Sequence, residues 1–307
     1  MKRFFVAIAA LGLAAAVASA QDFNAAVDAY NAGAQAMETN KTEALAQFRS
    51  ALEQAKACTE EEAPEFVTKC KTAITGALLS IAKEQINEAA YDEAIATLNE
   101  AKATAAEFEQ EDVVSEAASL VNNVYMRKGS TLLQNKDFAG AAATLKELVA
   151  LNPEDAKANL LLGQALMQVD ITAAIEALTK ANELGEANAA KLLSSAYLRE
   201  GQTLLKAGKN LEAVAALEKS NSFGESANAY KLIASAYTKA GKSKESINAY
   251  KKYLEVSPNA KDAADIMFTI AATAQKAGDK ATATEYYKKL AGTKYAAQAE
   301  AQLKTLK

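Results

Sequence analysis

The sequence Lys-Ala-Gly occurs three times in the C-terminal half of this 307-residue chain, at residues 206–208, 239–241 and 276–278. Each copy follows a stretch with apolar residues at helical spacing and precedes another such stretch. The copies lie 33 and 37 residues apart. Glycine commonly ends a helix, and helical units repeated at this period stack on one another. The pattern therefore predicts a helical solenoid.

The first twenty residues have the organisation of a secretory signal peptide. Two basic residues precede an uncharged, mostly apolar stretch over 4–17, and residues 18–20 form a small-residue cleavage site. We expect cleavage before Gln21, secretion across an inner membrane and a Gram-negative periplasmic location, with extracellular release as the alternative. An uncleaved anchor is also open, although the apolar stretch is shorter than the ~18 residues that a spanning helix needs. No later segment of the sequence has the length and apolarity of a membrane span.

Charge is unevenly distributed along the chain. Residues 21–120 carry 19 acidic and 7 basic side chains, a net charge of −12, whereas residues 121–307 carry 19 acidic and 25 basic ones, a net charge of +6. This asymmetry favours salt-sensitive self-association, and a drift of surface charge without function is the alternative. Only three arginines follow residue 20, so we expect no nucleic-acid partner.

The chain contains no histidine. This excludes zinc sites that depend on histidine and the catalytic triads that use it as a base. The sequence also lacks a glycine-rich phosphate loop, a dinucleotide-binding motif and EF-hand spacing. We therefore expect no enzymatic activity, no catalytic residues, no cofactor and no metal site.

The two cysteines, Cys58 and Cys70, belong to a chain that is predicted to enter an oxidising compartment. The simplest expectation is one disulfide that joins the end of one helix to the start of the next. Pro64 lies between them and suits the first turn of that next helix. A redox-active pair is the alternative, although the C-x-x-C spacing that such sites favour is absent.

Composition and periodicity favour helices throughout the chain after residue 20. The sequence is rich in strong helix formers, has only three prolines and shows no sustained alternation of period two. Apolar or small residues recur at three- and four-residue spacing, as at Ala174, Leu178 and Ala181. Pro153 and Pro258 follow equivalent predicted helices 105 residues apart, which is three units of 35. These patterns predict an all-α protein.

In these patterns the chain resembles the tetratricopeptide repeat family, whose unit is a helix–turn–helix of about 34 residues. The family motif has a large residue and, four positions later, a small one in the first helix. Its second helix has a small residue, a large one and another small or apolar one, often followed by proline. In the third unit of this chain the matching residues are Tyr125, Gly129, Leu132, Ala141, Leu145, Leu148 and Pro153.

The resemblance implies a right-handed superhelical solenoid of about seven such units with a C-terminal capping helix. The chain departs from the family pattern by having no tryptophan and by irregular connections around 102–122 and 182–196. The units are expected near 23–57, 67–108, 122–153, 156–185, 190–221, 226–258 and 262–292, and the capping helix over 293–307.

The resemblance also implies that a ligand binds along a concave groove lined by the first helix of each unit. Helical phase predicts which side chains face this groove, and amides and methionine among them suit contacts to a peptide. Ordinary solvated positions are the alternative. The predicted partner-binding residues are Asn123, Met126, Ser130, Gln164, Met167, Gln168, Leu198, Gln202, Asn228, Lys231 and Ser235, with Lys157, Leu160 and Ser195 in the same phase.

From these features we expect a non-enzymatic protein–protein interaction scaffold of the cell envelope that binds a partner protein or peptide along the groove. An accessory protein that binds glycan or peptidoglycan is one alternative, although the predicted groove has no tryptophan for a sugar to stack on. A self-assembling structural protein is the other. Its acidic N-terminal third would contact the basic remainder of another copy, and high salt would weaken the contact.

Overall fold

The computed structural model of the chain describes residues 23–306, which form fifteen α-helices and no β-strand. The predicted signal peptide lies outside the described residues. The prediction of an all-α fold is confirmed. The helices are α1 (Phe23–Ala36), α2 (Lys41–Lys56), α3 (Ala63–Asn87), α4 (Tyr91–Glu107), α5 (Glu111–Gln134), α6 (Phe138–Leu151), α7 (Ala156–Leu166), α8 (Ile171–Glu183), α9 (Ala189–Lys206), α10 (Asn210–Phe223), α11 (Ala227–Lys239), α12 (Ser243–Val256), α13 (Ala263–Lys276), α14 (Lys280–Lys289) and α15 (Ala296–Thr305).

Helices that follow each other in the chain pack against each other, as expected for a solenoid of helical pairs. The described residues divide into two compact units, 23–124 and 125–306, with the boundary inside α5. Helices α1 to α4 pack in succession in the first unit, and α6 to α15 do so in the second. In each pair the odd-numbered helix is the first helix and the even-numbered helix is the second helix.

The two helices of a pair approach closely where a small residue of the first helix meets a large residue of the second. A Cβ atom added to Gly163 would lie 2.5 Å from Cγ of Leu178, and one added to Gly33 would lie 2.8 Å from the ring of Phe48. Leu178 is fully buried and Phe48 is 4% exposed. The contact therefore excludes water, and a larger residue at either glycine would displace its partner. Two further contacts of this kind join Gly129 to Leu145 and Gly201 to Leu217.

The sixth pair keeps this packing with a polar residue in the place of alanine. Ser246 is fully buried, and its hydroxyl donates a hydrogen bond to the carbonyl of Ala234 on the facing helix at 3.0 Å. The same hydroxyl lies 2.7 Å from Oγ1 of Thr238. Because these bonds satisfy the buried hydroxyl, serine is tolerated where the motif has a small apolar residue.

The three Lys-Ala-Gly copies end three first helices, as predicted. Gly208, Gly241 and Gly278 have positive φ values of 76°, 73° and 80°. In the first of these turns the N–H of Lys209 donates to the carbonyl of Leu204, five residues earlier, at 2.9 Å. This is the bonding of a Schellman motif, in which glycine adopts the left-handed conformation without steric cost.

The same turn also forms without glycine. Ala89, Glu109 and Lys136 have φ values of 59°, 59° and 61°, and the residue after each of them donates to the carbonyl five positions earlier. Left-handed backbone is unfavourable for these residue types by roughly 1–2 kcal/mol. The packing of the adjoining helices must therefore offset this cost.

The turn at Glu109 shows that the predicted start of the third unit is wrong. The sequence predicts an irregular connection around 102–122, with the third unit beginning near 122. Instead, α4 continues to Glu107, and α5 begins at Glu111. The turn at Glu109 needs only three residues, and because it contains no glycine or proline the sequence does not mark it.

The prediction of a disulfide is wrong for this structure, because Cys58 and Cys70 are both thiols. Cys58 follows α2, and its Sγ lies 3.3 Å from the carbonyl oxygen of Gln54. Helix α3 begins at Ala63, with Pro64 in its first turn as predicted. Cys70 consequently lies about two turns into α3, roughly 10 Å along its axis, where it is fully buried. Cys58 thus precedes α3, whereas Cys70 lies inside it.

A helix occupies the segment predicted to cap the chain. Tyr295, just before α15, stacks on Phe268 of α13 with ring centroids 4.7 Å apart. Its hydroxyl donates to Oδ1 of Asp265 at 2.7 Å. Gln302 of α15 accepts a hydrogen bond from Gln275 of α13 at 3.0 Å. The cap therefore covers α13 with both apolar and polar contacts.

Candidate functional site

The exposed sides of α7, α9 and α11 form the candidate site in the second unit. Each of these helices buries one stripe of small and apolar residues, such as Leu193 and Ala196 of α9, against the second helices. The opposite stripe carries mostly polar side chains. We call this stripe the first-helix face and define it as Lys157, Gln164, Met167, Gln168, Lys191, Ser195, Leu198, Arg199, Gln202, Lys206, Asn228, Lys231, Ser235 and Lys239.

Most of the predicted partner-binding residues are accessible. Eight of the eleven belong to the first-helix face, whereas Met126 and Ser130 lie on the part of α5 that belongs to the second unit. Asn123, also on α5, belongs to the first unit. The exposed residues are Asn123, Gln168, Gln202, Asn228 and Lys231, and the half-buried ones are Met126, Ser130, Gln164, Met167, Leu198 and Ser235.

The prediction that Leu160 faces the groove is wrong. Only 6% of its surface is exposed, and it belongs to the same apolar cluster as Leu178 and Leu193. It therefore packs between α7 and its neighbours. Lys157 and Ser195, predicted in the same phase, are exposed.

Hydrogen bonds join neighbouring first helices along the face. The guanidinium of Arg199 on α9 donates to Oε1 of Gln168, which follows α7, at 2.9 Å. Farther along, the ammonium group of Lys231 on α11 pairs with the carboxylate of Asp262, just before α13. These contacts show that side chains from successive first helices share one surface.

Asp262 lies next to the face and accepts two side-chain hydrogen bonds. It accepts hydrogen bonds from Lys231 and from the hydroxyl of Tyr253, and these bonds hold the pKa of Asp262 below its ordinary value. The bond to the Asp262 carboxylate, together with burial, raises the pKa of Tyr253 from 10.0 to about 12. Asp262 thus remains charged near neutral pH and neutralises Lys231.

The face ends at α11 because Tyr295, just before α15, covers the corresponding positions of α13. Asp265 and Phe268 occupy the phase on α13 that Asn228 and Lys231 occupy on α11. Asp265 bonds to Tyr295, and Phe268 stacks on the same residue. The C-terminal segment therefore covers on α13 the positions that are exposed on α11.

Four basic residues of the face were missing from the predicted partner-binding set. Lys191, Arg199, Lys206 and Lys239 are all exposed. The prediction followed the helical phase only close to the small residue of each first helix. Extending the same phase by one turn at each end of α9, and to the end of α11, would have found the three lysines.

Two specific features, a cluster of metal ligands and a membrane-spanning helix, are absent from the described residues. Within residues 23–306 no group of three or more cysteine, aspartate or glutamate side chains is placed to hold a metal ion. In the same range no helix combines the length and apolarity that crossing a membrane requires.

Two family models, both described as tetratricopeptide repeat, match residues 126–189 and 227–260. The chain contains tetratricopeptide repeats over these two segments. Both matched segments belong to the second unit, and between them they include α7 and α11 of the first-helix face. Tetratricopeptide repeats are scaffolds for protein interaction, and the matched repeats support this general function for the chain.

Solved structures of other tetratricopeptide repeat proteins show a limited similarity. A crystal structure of MamA is 24% identical, with a TM-score of 0.39 over 55% of this chain and 90% of that one. MamA 41-end from Desulfovibrio magneticus RS-1 is 22% identical, with a TM-score of 0.36 over 55% and 92%. YrrB, described as a TPR protein with an unusual peptide-binding site, is 17% identical, with a TM-score of 0.37 over 59% and 91%. No curated protein matches the chain.

Proposed function

We propose that this protein is a non-enzymatic scaffold of the cell envelope and that it binds a partner protein or peptide along the first-helix face. The observation that carries the proposal is the contrast between the two sides of α7, α9 and α11. One side is packed against second helices, whereas the other presents amides, hydroxyls and apolar side chains to solvent.

The chemistry of the face suits a polypeptide ligand. Gln164, Gln202 and Asn228 each offer an amide that can both donate to and accept from a peptide backbone. Met167 and Leu198 are half-buried beside them and provide apolar area for a partner side chain. Specific binding generally needs both kinds of contact, and here the same surface supplies them.

The envelope location is supported by the sequence of residues 1–20, which has the charged start, apolar stretch and cleavage site of a signal peptide. Fractionation of cells that express the full chain tests this part. We expect the protein in the soluble envelope fraction with Gln21 as its N-terminus. A cytoplasmic protein that retains Met1 would contradict the proposed location and leave the binding proposal intact.

The binding proposal is tested by affinity capture from envelope extract with residues 21–307 as bait. A variant carrying Gln164→Glu, Met167→Glu and Gln202→Glu should lose a stoichiometric partner that the parent chain retains. The matched control carries Thr172→Glu, Ala215→Glu and Asn248→Glu, which add three charges at exposed positions of second helices. Loss of the partner in the control as well, or no protein partner for any folded bait, would reject this face as the binding surface.

A further inference from the structure

The exposed charges on the first-helix face all have one sign. Six basic side chains lie on it: Lys157, Lys191, Arg199, Lys206, Lys231 and Lys239. The only acid within α7, α9 and α11 is Glu200. Glu200 is half-buried and falls on the opposite side of α9 from Lys191 and Lys206, toward the buried stripe.

This sign is a property of the first helices and not of the surrounding segment. The neighbouring second helices α8, α10 and α12 together carry six acidic and five basic side chains. Several lysines among them or beside them are neutralised by nearby acids, as in the pairs Lys180–Glu154 at 2.7 Å and Lys252–Glu255 at 2.6 Å. A general excess of lysine therefore does not explain the basic face.

Most of the basic charge on the face is not neutralised within the chain. Lys231 pairs with Asp262, and Arg199 bonds to the neutral amide of Gln168. Within residues 23–306, Lys157, Lys191, Lys206 and Lys239 form no ion pair with an acidic side chain. With Arg199 they place five like charges on one surface and raise the local positive potential, which an anionic ligand would relieve.

We propose that the partner segment on the first-helix face is an acidic, extended polypeptide. This inference rests on the proposed function and adds the chemistry of the ligand. Neighbouring first helices meet directly, since α9 contacts α11 and Arg199 of α9 bonds to Gln168 after α7. The axes of helices in contact lie roughly 8–10 Å apart, and an extended chain advances about 3.3–3.6 Å per residue. A segment that crosses α7, α9 and α11 would therefore pass from one basic row to the next about every third residue. Carboxylates at that spacing match the face.

The same observations favour a polypeptide over a nucleic acid. Single-stranded nucleic acids bind by stacking their bases on aromatic rings in a basic groove, and the face as defined carries no aromatic side chain. Six of its fourteen members are amide-bearing or hydroxyl side chains that can bond a peptide backbone, and only one is an arginine. The face thus combines positive charge with contacts suited to a peptide main chain.

The test uses a fluorescein-labelled peptide of twelve residues, with glutamate at every third position and alanine or serine elsewhere. Its anisotropy is measured with residues 21–307 in 50 mM salt, beside the same peptide with glutamine for glutamate. We expect the glutamate peptide to bind at least tenfold more tightly than the glutamine peptide. Its affinity should also fall severalfold between 50 and 300 mM salt.

Two charge-matched variants locate the binding surface. Lys157→Glu, Lys206→Glu and Lys239→Glu reverse three charges on the face, and we expect at least a tenfold loss of affinity for the glutamate peptide. Lys146→Glu, Lys219→Glu and Lys244→Glu reverse three exposed charges on α6, α10 and α12, and affinity should stay within twofold of the parent. Thermal unfolding of both variants establishes that they remain folded.

Four outcomes overturn the inference. Equal affinity for the two peptides, or an equal loss of affinity in the two variants, would show that this face does not bind an acidic ligand. Tighter binding of a twelve-nucleotide DNA strand to the same lysines would make the ligand a nucleic acid. Low-salt self-association that the face variant alone abolishes would make the occupant a second copy of this chain. In the fourth outcome the glutamate peptide shows no binding, while the variant with Gln164→Glu, Met167→Glu and Gln202→Glu still loses the partner that the parent chain captures. In that case the proposed function stands and only the acidic ligand is rejected.

Discussion

The first unit is described over residues 23–124 and the second over 125–306. Both units pack their helices through the same kind of small–large contact, but they differ in the residues that end the helices and in the charges on the exposed faces. Gly33 receives Phe48 in the first unit as Gly163 receives Leu178 in the second. Ala89 and Glu109 adopt left-handed backbone in the first unit, whereas glycine takes most of the equivalent positions in the second. The comparison teaches that the small–large contact defines the repeat, while turn residues vary around it.

The exposed faces of the first helices differ more than the cores do. In the first unit α1 carries one acid and no base, and α3 mixes acidic and basic side chains. In the second unit the exposed side of α7, α9 and α11 carries six basic side chains and no acidic one. Since both units bury the same kinds of residue, the charge pattern of the exposed face is free to specialise.

The largest expected effect comes from removing the large member of the small–large contact. Phe48→Ala should destabilise the first unit by about 3–5 kcal/mol, and Leu178→Ala the second by about 2–5 kcal/mol, because each leaves a cavity. Hydrogen exchange resolved along the chain would assign each loss to its own unit. As a control, Leu211→Ala, at a site 52% exposed, should change stability by less than about 0.5 kcal/mol. A loss at only one of the two contacts would break the comparison.

The second effect concerns the reactivity of Cys70 in the first unit. Burial raises the pKa of the Cys70 thiol from 9.0 to about 11. Because the thiolate is the reactive form, alkylation of Cys70 by iodoacetamide at pH 8 should be about 100-fold slower than that of an ordinary thiol. Peptide mass spectrometry over time measures the rate, and the chain unfolded in guanidinium is the control. Rapid labelling of Cys70 in the folded protein would contradict its burial.

The third effect concerns Tyr253 in the second unit, where a hydrogen bond and not burial is the main cause of the raised pKa. Asp262→Asn should lower the pKa of Tyr253 from about 12 toward 10, and Tyr253→Phe identifies its absorbance change at high pH. Because the folded-state pKa is raised, the stabilisation is complete below pH 10 and is lost as the pH rises from 10 to 12. An unchanged titration of Tyr253 in Asp262→Asn would show that burial alone holds the phenol neutral.

The smallest effect comes from exchanging the turn residues between the units. Glu109→Gly should stabilise the chain by about 1 kcal/mol, and Gly208→Ala should destabilise it by about 1 kcal/mol, because only glycine adopts left-handed backbone without strain. Urea unfolding of both variants measures the difference. Ala207→Gly, one residue away at a site with ordinary helical backbone, should not stabilise. If Glu109→Gly destabilises the chain and Gly208→Ala stabilises it, the packing of neighbouring residues, and not backbone conformation, determines the stability of the turn.

The sequence determined the class of the fold because small and large residues recur at helical spacing and three glycines mark helix ends. Gly208, Gly241 and Gly278 have the left-handed conformation that their position predicts, and Pro64 lies in the first turn of a helix. These are local properties, since one residue's backbone preference or one helix's periodicity is enough to predict them.

Only the tertiary structure decided the remaining features, because they depend on neighbours that are distant in sequence. Glu109 forms a turn that no local signal marks, and Leu160 is buried by Leu178 and Leu193 although its phase points to a groove. The basic surface emerges in the same way. Its lysines belong to three helices separated by two others, and their charges add up only because the packing of the pairs turns α7, α9 and α11 to one side.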